Sequence, residues 1–124
     1  MRIIIADDSE ILRSRLIEIV SDIPGTHIVG CAESSSDVIE AVAESDPDVV
    51  ILDISMPGGN GIVALEAIKK RKKCPLIVMF TNYPYLQYRK KCLEAGADYF
   101  YYKSNEFEKL IKLLKRLAKE YAQA

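Results

Sequence analysis

The chain has few cysteines and no long apolar run, and both shortages restrict its class. The three cysteines are odd in number and widely spaced, at Cys31, Cys74 and Cys92. A disulfide framework or a zinc site requires even counts or close pairs of cysteines, so we expect reduced, packed thiols. No apolar run approaches the ~20 residues that a membrane-spanning helix needs. We therefore expect a cytoplasmic protein without a membrane partner.

An excess of charge of one sign is also missing. The 124 residues carry 17 basic and 18 acidic side chains, and 49% of the residues are hydrophobic. This composition is typical neither of a disordered chain nor of a protein that coats nucleic acid, so we expect no direct nucleic-acid partner. The single histidine, His27, falls in a weak strand and receives no role. The length predicts one domain, residues 1–124.

Short apolar runs mark the strands of the predicted fold. They are nearly continuous rather than alternating, which is typical of strands buried on both faces. A weaker candidate at 27–31 follows the turn signal Pro24-Gly25. The four clear runs are residues 2–6, 48–52, 76–80 and 99–102.

Segments with helical spacing separate the strands. The last segment, from Phe107 to Tyr121, has the clearest apolar stripe, and Ser104 or Asn105 is its predicted cap. Residues 84–94 contain few aliphatic side chains and predict the least firmly buried helix, which we interpret as mobile. In the first helix the residues expected to face the sheet are Leu12, Leu16, Ile19 and Ile23.

The alternation of strand and helix, five times over, predicts an α/β fold. Parallel strands with right-handed crossovers place helices on both faces of the sheet. We expect a flavodoxin-like, doubly wound (βα)5 architecture with a five-stranded parallel sheet in the order 2-1-3-4-5. In such a sheet, ligands bind beyond the carboxyl ends of the strands.

Polar side chains follow four of the predicted strands at that edge. Asp7 and Asp8 follow the first strand, Asp53 the third, Thr81 the fourth and Lys103 the fifth. Each one alone is explained by a helix cap, a turn or a solvated surface charge. Together, three converging carboxylates repel one another and imply a hard divalent cation, of which Mg²⁺ is the commonest small one. Asp53 is already an anionic nucleophile, and attack on phosphorus needs mainly alignment and charge neutralisation.

With these residues in place, the sequence resembles the receiver domains of two-component response regulators over essentially its whole length. The resemblance implies a phosphorelay protein rather than an enzyme, with Asp53 as phosphoacceptor and a sensor histidine kinase or phosphotransfer protein as donor. It also implies an unidentified downstream protein target and a phosphorylation-dependent dimer. The matching elements, in order, are Ile5-Ala6-Asp7-Asp8-Ser9, Asp53-Ile54-Ser55-Met56-Pro57, Gly61, Thr81, and Gly96-Ala97-Asp98 leading to Lys103.

The resemblance also implies a role for individual residues. Asp8, Asp53 and the backbone carbonyl of Ser55 correspond to protein ligands of the metal, and Asp7 acts mostly through metal-bound water. Thr81 and Lys103 correspond to the hydroxyl and the ammonium that contact the phosphoryl group. Phe100 corresponds to the switch aromatic. Its rotation reports phosphorylation to the surface formed by the fourth helix, the fifth strand and the fifth helix.

Two positions depart from the family pattern. Many receivers have proline after the lysine, whereas this chain has Ser104, so we do not expect a cis peptide bond there. After the hydroxyl residue the family usually has a small residue such as alanine, whereas this chain has Asn82 and then Tyr83. Their bulk predicts slow access of water to the site and a long-lived phosphorylated state. If instead Pro84 starts the fourth helix, it fixes Tyr83 outward and the site stays open.

Three other functions compete with this interpretation. An acidic phosphatase also places aspartates after its first strand, but it needs a spaced Asp-x-Asp pair, whereas here Asp7 and Asp8 are adjacent. A flavin-binding electron carrier needs a phosphate loop rich in Ser, Thr and Gly at the same position. The third alternative keeps the receiver fold but makes the chain the regulatory half of a longer DNA-binding transcriptional regulator.

Overall fold

Strands and helices alternate along the chain in the computed structural model, which describes residues 1–57, 60–82 and 85–123. The predicted βα repeat is confirmed within these ranges. The elements are β1 Arg2–Ala6, α1 Glu10–Ser21, β2 His27–Ala32, α2 Ser35–Ser45, β3 Val49–Leu52, α3 Gly61–Lys69, β4 Leu76–Thr81, α4 Leu86–Glu94, β5 Tyr99–Tyr102 and α5 Phe107–Gln123.

The strands form one parallel sheet in the order β2-β1-β3-β4-β5. This is the predicted flavodoxin-like order, and it is confirmed. β1 pairs with both β2 and β3, so the ends of β1 and β3 lie side by side. β4 pairs with β3 and β5, and Thr81 at the end of β4 is in register with Tyr102 of β5. The sheet therefore brings the carboxyl ends of β1, β3, β4 and β5 to one edge.

Helices cover both faces of the sheet, which explains why its strands are apolar at every position. Ile4 of β1 packs in a cluster with α2 and α3, whereas Ile3 and Ile5 of the same strand pack in a second cluster with α1 and α5. Successive side chains of a strand point to opposite faces. Both faces are buried, so no position of β1 between Ile3 and Ala6 is left for a polar side chain.

The buried face of α1 differs from the predicted one. Leu16 and Ile23 are buried as expected, but Leu12 and Ile19 remain 44% and 40% exposed, and Val20 is fully buried instead. Leu12 lies in the first turn of α1 and lines the crevice at the end of the sheet rather than the core. The prediction for Leu12 and Ile19 was wrong because a four-residue apolar spacing does not fix how the stripe is rotated against the sheet.

Side-chain caps begin three of the helices. The Ser9 hydroxyl accepts a hydrogen bond from Leu12 N, the Ser34 hydroxyl from Asp37 N, and the Asn60 side chain from Ile62 N and Val63 N. Such caps satisfy amides that have no partner within the helix. The cap predicted for α5 at Ser104 or Asn105 was wrong, because α5 begins at Phe107 and the residue directly before it is Glu106.

The helix α4 is the least buried, as predicted. Only Cys92 of its nine residues is buried, and Tyr85 before it provides no side-chain cap. By contrast, α3 has the same length and buries five residues. The other two cysteines, Cys31 and Cys74, are free and exposed, so the expectation of packed thiols holds for Cys92 alone.

Within the described ranges, no helix has both the length and the apolar composition required to cross a membrane.

Candidate functional site

Three carboxylates meet at the carboxyl edge of the sheet. Asp7 and Asp8 follow β1 and Asp53 follows β3, and one oxygen of each lies within 4.8 Å of one oxygen of the other two. Asp7 and Asp53 are 3% and 4% exposed, whereas Asp8 is exposed. The structure therefore brings together the acidic residues that the sequence analysis singled out.

Lys103 joins two of these carboxylates. Its Nζ lies 2.5 Å from Oδ2 of Asp7 and 2.8 Å from Oδ2 of Asp53, and its side chain is 12% exposed. Burial lowers the pKa of the Lys103 ammonium, but the hydrogen bonds to Asp53 and Asp7 outweigh burial and raise the pKa overall. Lys103 is therefore a charged donor held between Asp7 and Asp53.

Backbone hydrogen bonds fix the loops that carry these side chains. Asp53 N donates to Ala6 O over 3.0 Å, and Lys103 N donates to Thr81 O over 3.0 Å, so both residues continue the pairing of their strands. The amide of Ser55 donates to Oδ1 of Asp53 over 3.2 Å. This contact orients the Asp53 carboxylate and uses one of its oxygens, while Lys103 uses the other.

A crevice of about 300 Å³ opens above the carboxylates. It is lined by all the predicted site residues at this edge together with Ser9, Leu12 and Asn82. Thr81 is fully buried at its floor, whereas Ser55 and Asn82 are exposed. One water occupies roughly 30 Å³ in the liquid, so the crevice has room for a phosphoryl group, a cation and several waters.

The donor set fits a hard divalent cation. Three carboxylates and one ammonium leave an excess of negative charge in a half-buried site, and each carboxylate presents an oxygen toward the others. Mg²⁺ and Ca²⁺ prefer oxygen ligands of this kind. The arrangement is therefore compatible with a divalent metal bound by Asp7, Asp8 and Asp53, with Ser55 at the rim of the same crevice.

Phe100, the predicted switch aromatic, is 3% exposed and lies under α4. The guanidinium of Arg89 lies 5.6 Å from the centre of the Phe100 ring and 5.9 Å from that of Tyr102. Phe100 and Tyr102 point to the same face of β5, whereas Tyr101 packs with the cluster on the opposite face. The packing therefore distinguishes Tyr101 from Phe100 and Tyr102, which the sequence alone does not.

Sequence reasoning missed two contacts of the site. Arg13 of α1 donates from Nη1 to the backbone oxygen of Asp7 over 2.7 Å, which holds the loop after β1. Glu106 accepts from Tyr102 N over 3.0 Å, next to Lys103. A lone arginine or glutamate in a polar stretch carries no motif, so neither contact gives a signal in the sequence. The predictions for Tyr83 and Pro84 lie outside the described residues.

Comparisons with known proteins agree with this geometry. A family model described as response regulator receiver domain matches residues 3–115. The chain is 32% identical over 116 residues to the nitrate/nitrite response regulator protein NarL of Escherichia coli K12, covering 94% of this chain and 54% of NarL. It therefore spans about half the length of this relative.

Solved structures are similar over the whole fold. A LuxR-family two-component response regulator from Aurantimonas has a TM-score of 0.87 and 27% identity, with 96% of this chain and 85% of that chain covered. A chain of the CheX–CheY–BeF3–Mg²⁺ complex from Borrelia burgdorferi has a TM-score of 0.85 and 26% identity, with 94% and 88% covered. The chain belongs to the response regulator receiver domain family, and it is the receiver domain of a two-component response regulator.

Proposed function

We propose that residues 1–124 act as one phosphoacceptor domain in which Asp53 receives a phosphoryl group from a sensor histidine kinase or a phosphotransfer protein. The observation that carries the proposal is the placement of Lys103 between Asp7 and Asp53 in a cluster of three carboxylates. A lysine or an aspartate that is only a surface charge is normally exposed to solvent, whereas Lys103, Asp7 and Asp53 are largely buried together. A phosphoryl group arriving at Asp53 finds an ammonium and a cation site already facing it.

The reaction is a transfer between two anionic partners and needs no general base. An oxygen of Asp53 forms a bond to phosphorus, the bond between phosphorus and the donor imidazole breaks, and the imidazole keeps the electron pair and takes up a proton. Lys103 neutralises charge on the transferred group, and the Thr81 hydroxyl at the floor of the crevice donates to it. A bound Mg²⁺, held by Asp8, Asp53 and the carbonyl of Ser55, with Asp7 through water, would supply further neutralisation of the transferring oxygens.

Intact mass measures this function directly. The parent chain, incubated with acetyl phosphate and Mg²⁺, is expected to gain one phosphoryl group that is lost under conditions that cleave acyl phosphates. Asp53→Asn should gain none, whereas Asp37→Asn, an exposed acid in the first turn of α2, should behave like the parent. Equal labelling of Asp53→Asn and the parent would reject the assignment.

The division of metal-binding roles has its own test. Asp8→Ala is expected to weaken Mg²⁺ binding more than Asp7→Ala, because Asp8 is proposed as a direct ligand and Asp7 as a water-mediated one. Calorimetric titration of both variants with Mg²⁺ gives the two affinities. The reverse order would contradict this division, and a parent chain without affinity for Mg²⁺ would contradict the metal site itself.

The proposed output surface consists of α4, β5 and α5. Phosphorylation is proposed to act through Thr81 and Phe100 on α4, which the core holds through Cys92 and a few partly buried side chains. Amide exchange before and after treatment with acetyl phosphate should change in residues 85–95 and 99–110. Changes confined to the loops of the site would contradict the proposed output. A dimer formed through this surface on phosphorylation is part of the same proposal.

Water access is proposed to be slow because Asn82 lines the crevice. An attacking water must approach in line with the bond between Asp53 and phosphorus. Decay of the phosphorylated chain should therefore be faster in Asn82→Ala than in the parent. An unchanged decay rate would show that the Asn82 side chain does not shield the site.

A second candidate keeps this chemistry and changes its use. The chain covers 54% of NarL, and a similar solved structure is a LuxR-family response regulator. We propose as the alternative that the chain is the receiver half of a longer DNA-binding transcriptional regulator. The sequence of the complete reading frame tests it, since a DNA-binding domain joined to these residues would support the alternative and its absence would reject it.

A further inference from the structure

Glu106 closes the turn that carries Lys103. The amide of Tyr102 donates to Oε1 of Glu106 over 3.0 Å, and the amide of Glu106 donates to the carbonyl oxygen of Tyr102 over 2.9 Å. Residues 103–105 lie between these two hydrogen bonds. The pair therefore forms a closed ring around the turn, which we call the Tyr102–Glu106 clasp.

Among the described residues, few other contacts hold the turn after Lys103. Ser104 and Asn105 are exposed, and neither has the ring that fixes φ in proline. On the strand side, Lys103 N donates to Thr81 O over 3.0 Å. On the helix side, the clasp is the contact that ties the turn back to β5. The Nζ of Lys103 lies 2.8 Å from Oδ2 of Asp53, and a shift of the turn would move the backbone that carries this side chain.

The Glu106 side chain is largely buried rather than exposed to solvent. It is 13% exposed, and its Oε2 accepts from Nζ of Lys109 over 3.0 Å. The hydrogen bond from Tyr102 N lowers the pKa of Glu106, against desolvation, and Lys109 and Arg89 act in the same direction. The carboxylate therefore stays ionised and remains an acceptor for the Tyr102 amide.

A simpler role for Glu106 is to stabilise the N-terminus of α5, where acidic residues interact favourably with the helix dipole. Glu108 offers the same benefit from the first turn of α5 and is exposed. The two residues differ in that Glu106 accepts a hydrogen bond from Tyr102 N. A comparison of the two glutamates therefore separates a helix-end charge from a clasp on the lysine turn.

We propose that Glu106 is a positioning residue that fixes Lys103 for phosphoryl transfer to Asp53, acting through the backbone of the turn and not by contact with the phosphoryl group. This inference rests on the proposed function of Asp53. It predicts that loss of the acceptor oxygen lowers the rate of transfer while the carboxylates that form the metal site are unchanged. It also predicts that an uncharged acceptor at the same position restores the rate.

The experiment compares Glu106→Ala, Glu106→Gln and Glu108→Ala with the parent. Acetyl phosphate and Mg²⁺ serve as probes, and the maximal phosphorylation rate, the Mg²⁺ affinity and the exchange of the Tyr102 amide are measured. Misplacement of a catalytic group by about 1 Å costs up to ~100-fold in rate. Glu106→Ala is expected to lose about tenfold in maximal rate, to exchange Tyr102 faster and to keep its Mg²⁺ affinity within about twofold. Glu106→Gln and Glu108→Ala should stay within about twofold of the parent rate.

Several results would overturn the proposal. A parent-like rate in Glu106→Ala would do so, as would a rate in Glu106→Gln as low as in Glu106→Ala, because the amide keeps the acceptor oxygen. An equal loss in Glu108→Ala would assign the effect to charge at the end of α5. A parent chain that gains no phosphoryl group would contradict both the proposed function and this inference. If the parent is phosphorylated and Glu106→Ala has the same maximal rate, the inference alone is contradicted.

Discussion

Helices α3 and α4 have the same length and pack on the same face of the sheet, yet they are held there differently. Five of the nine residues of α3 are buried, and Asn60 caps its first turn. In α4 only Cys92 is buried, and Arg89 contributes a contact with the rings of Phe100 and Tyr102. α3 is therefore anchored by apolar burial, and α4 by a few contacts with the edge strand β5.

This difference agrees with the proposed function, in which α3 lies beside Asp53 and α4 belongs to the output surface. α3 starts beside the loop of Asp53, where Gly61 N donates to Ile54 O, so firm packing of α3 keeps the proposed phosphoacceptor in place. α4 lies against β5, the strand directly before Lys103. An element with few buried contacts changes its position at low cost in free energy. A firmly held Asp53 and a loosely held α4 agree with the proposed function, in which Asp53 receives a phosphoryl group and the surface that includes α4 changes in response.

The largest effect is expected at the start of α3. A Cβ on Gly61 would lie 1.9 Å from the backbone oxygen of Asp53, so the loop must shift to admit it. Gly61→Ala should lower the free energy of unfolding by more than about 4 kcal/mol, or prevent folding. Gly30→Ala is the control, because its Cβ would make only ordinary contact, at 3.6 Å from the Ile4 side chain. Denaturant unfolding measures both, and equal losses would show that the close approach at Gly61 is relieved cheaply.

The second prediction compares the two helices directly. Leu65 of α3 is fully buried, whereas Leu93 of α4 is 43% exposed. Leu65→Ala should cost about 3 kcal/mol in the free energy of unfolding, because it removes apolar burial and leaves a cavity. Leu93→Ala should cost less than about 1 kcal/mol. Similar losses in the two variants would mean that α4 is as firmly packed as α3.

Cysteine labelling sharpens the comparison by measuring how often α4 opens. Burial raises the pKa of the Cys92 thiol from an ordinary 9.0 to about 11, which reduces the reactive thiolate near neutral pH by about 100-fold. Iodoacetamide should therefore modify Cys92 at least about 100-fold more slowly than Cys31 and Cys74, both exposed. Mass spectrometry of the cysteine peptides follows the three rates. Labelling of Cys92 as fast as that of Cys74 would show that α4 is open most of the time.

The smallest predicted effect concerns acid pH. The pKa of Glu106 lies below its ordinary value of 4.5, first because Tyr102 N donates to the carboxylate and then because of Lys109. The ionised Glu106 carboxylate thus stabilises the folded state fully above about pH 4.5. This contribution to the free energy of unfolding is lost as the pH falls through the lower pKa that Glu106 has in the folded state. Glu106→Gln should cost about 1 kcal/mol at pH 7 and progressively less in acid, relative to the parent. A pH-independent difference in thermal unfolding between Glu106→Gln and the parent would contradict the shift.

The strand pattern and the convergence of the acidic residues were predictable from the sequence. Apolar runs such as residues 48–52 are readable because both faces of the sheet are covered, and parallel strands with known order fix which ends meet. The rotation of α1 was not predictable, since Leu12, Ile19 and Val20 all satisfy a helical spacing and only packing against β1 and α5 selects among them. Local spacing carries no information on that choice.

The fine structure of the site was also beyond the sequence. That Lys103 bridges Asp7 and Asp53 depends on the position of a flexible side chain at the end of β5. The clasp by Glu106 depends on which residue directly precedes α5, and the sequence analysis placed the cap of this helix at Ser104 or Asn105 instead. Helix starts are set by a few competing hydrogen bonds, which a side chain three residues away can change.

Peptide mapping of the phosphorylated chain tests the central claim most directly. After incubation with acetyl phosphate, with Mg²⁺ or with a chelator, the chain is digested and the modified peptide is sequenced by mass spectrometry. The account predicts one phosphoryl group on Asp53, formed in the presence of Mg²⁺ and largely absent with the chelator. A phosphoryl group on another residue, or a folded chain that gains none, would contradict it.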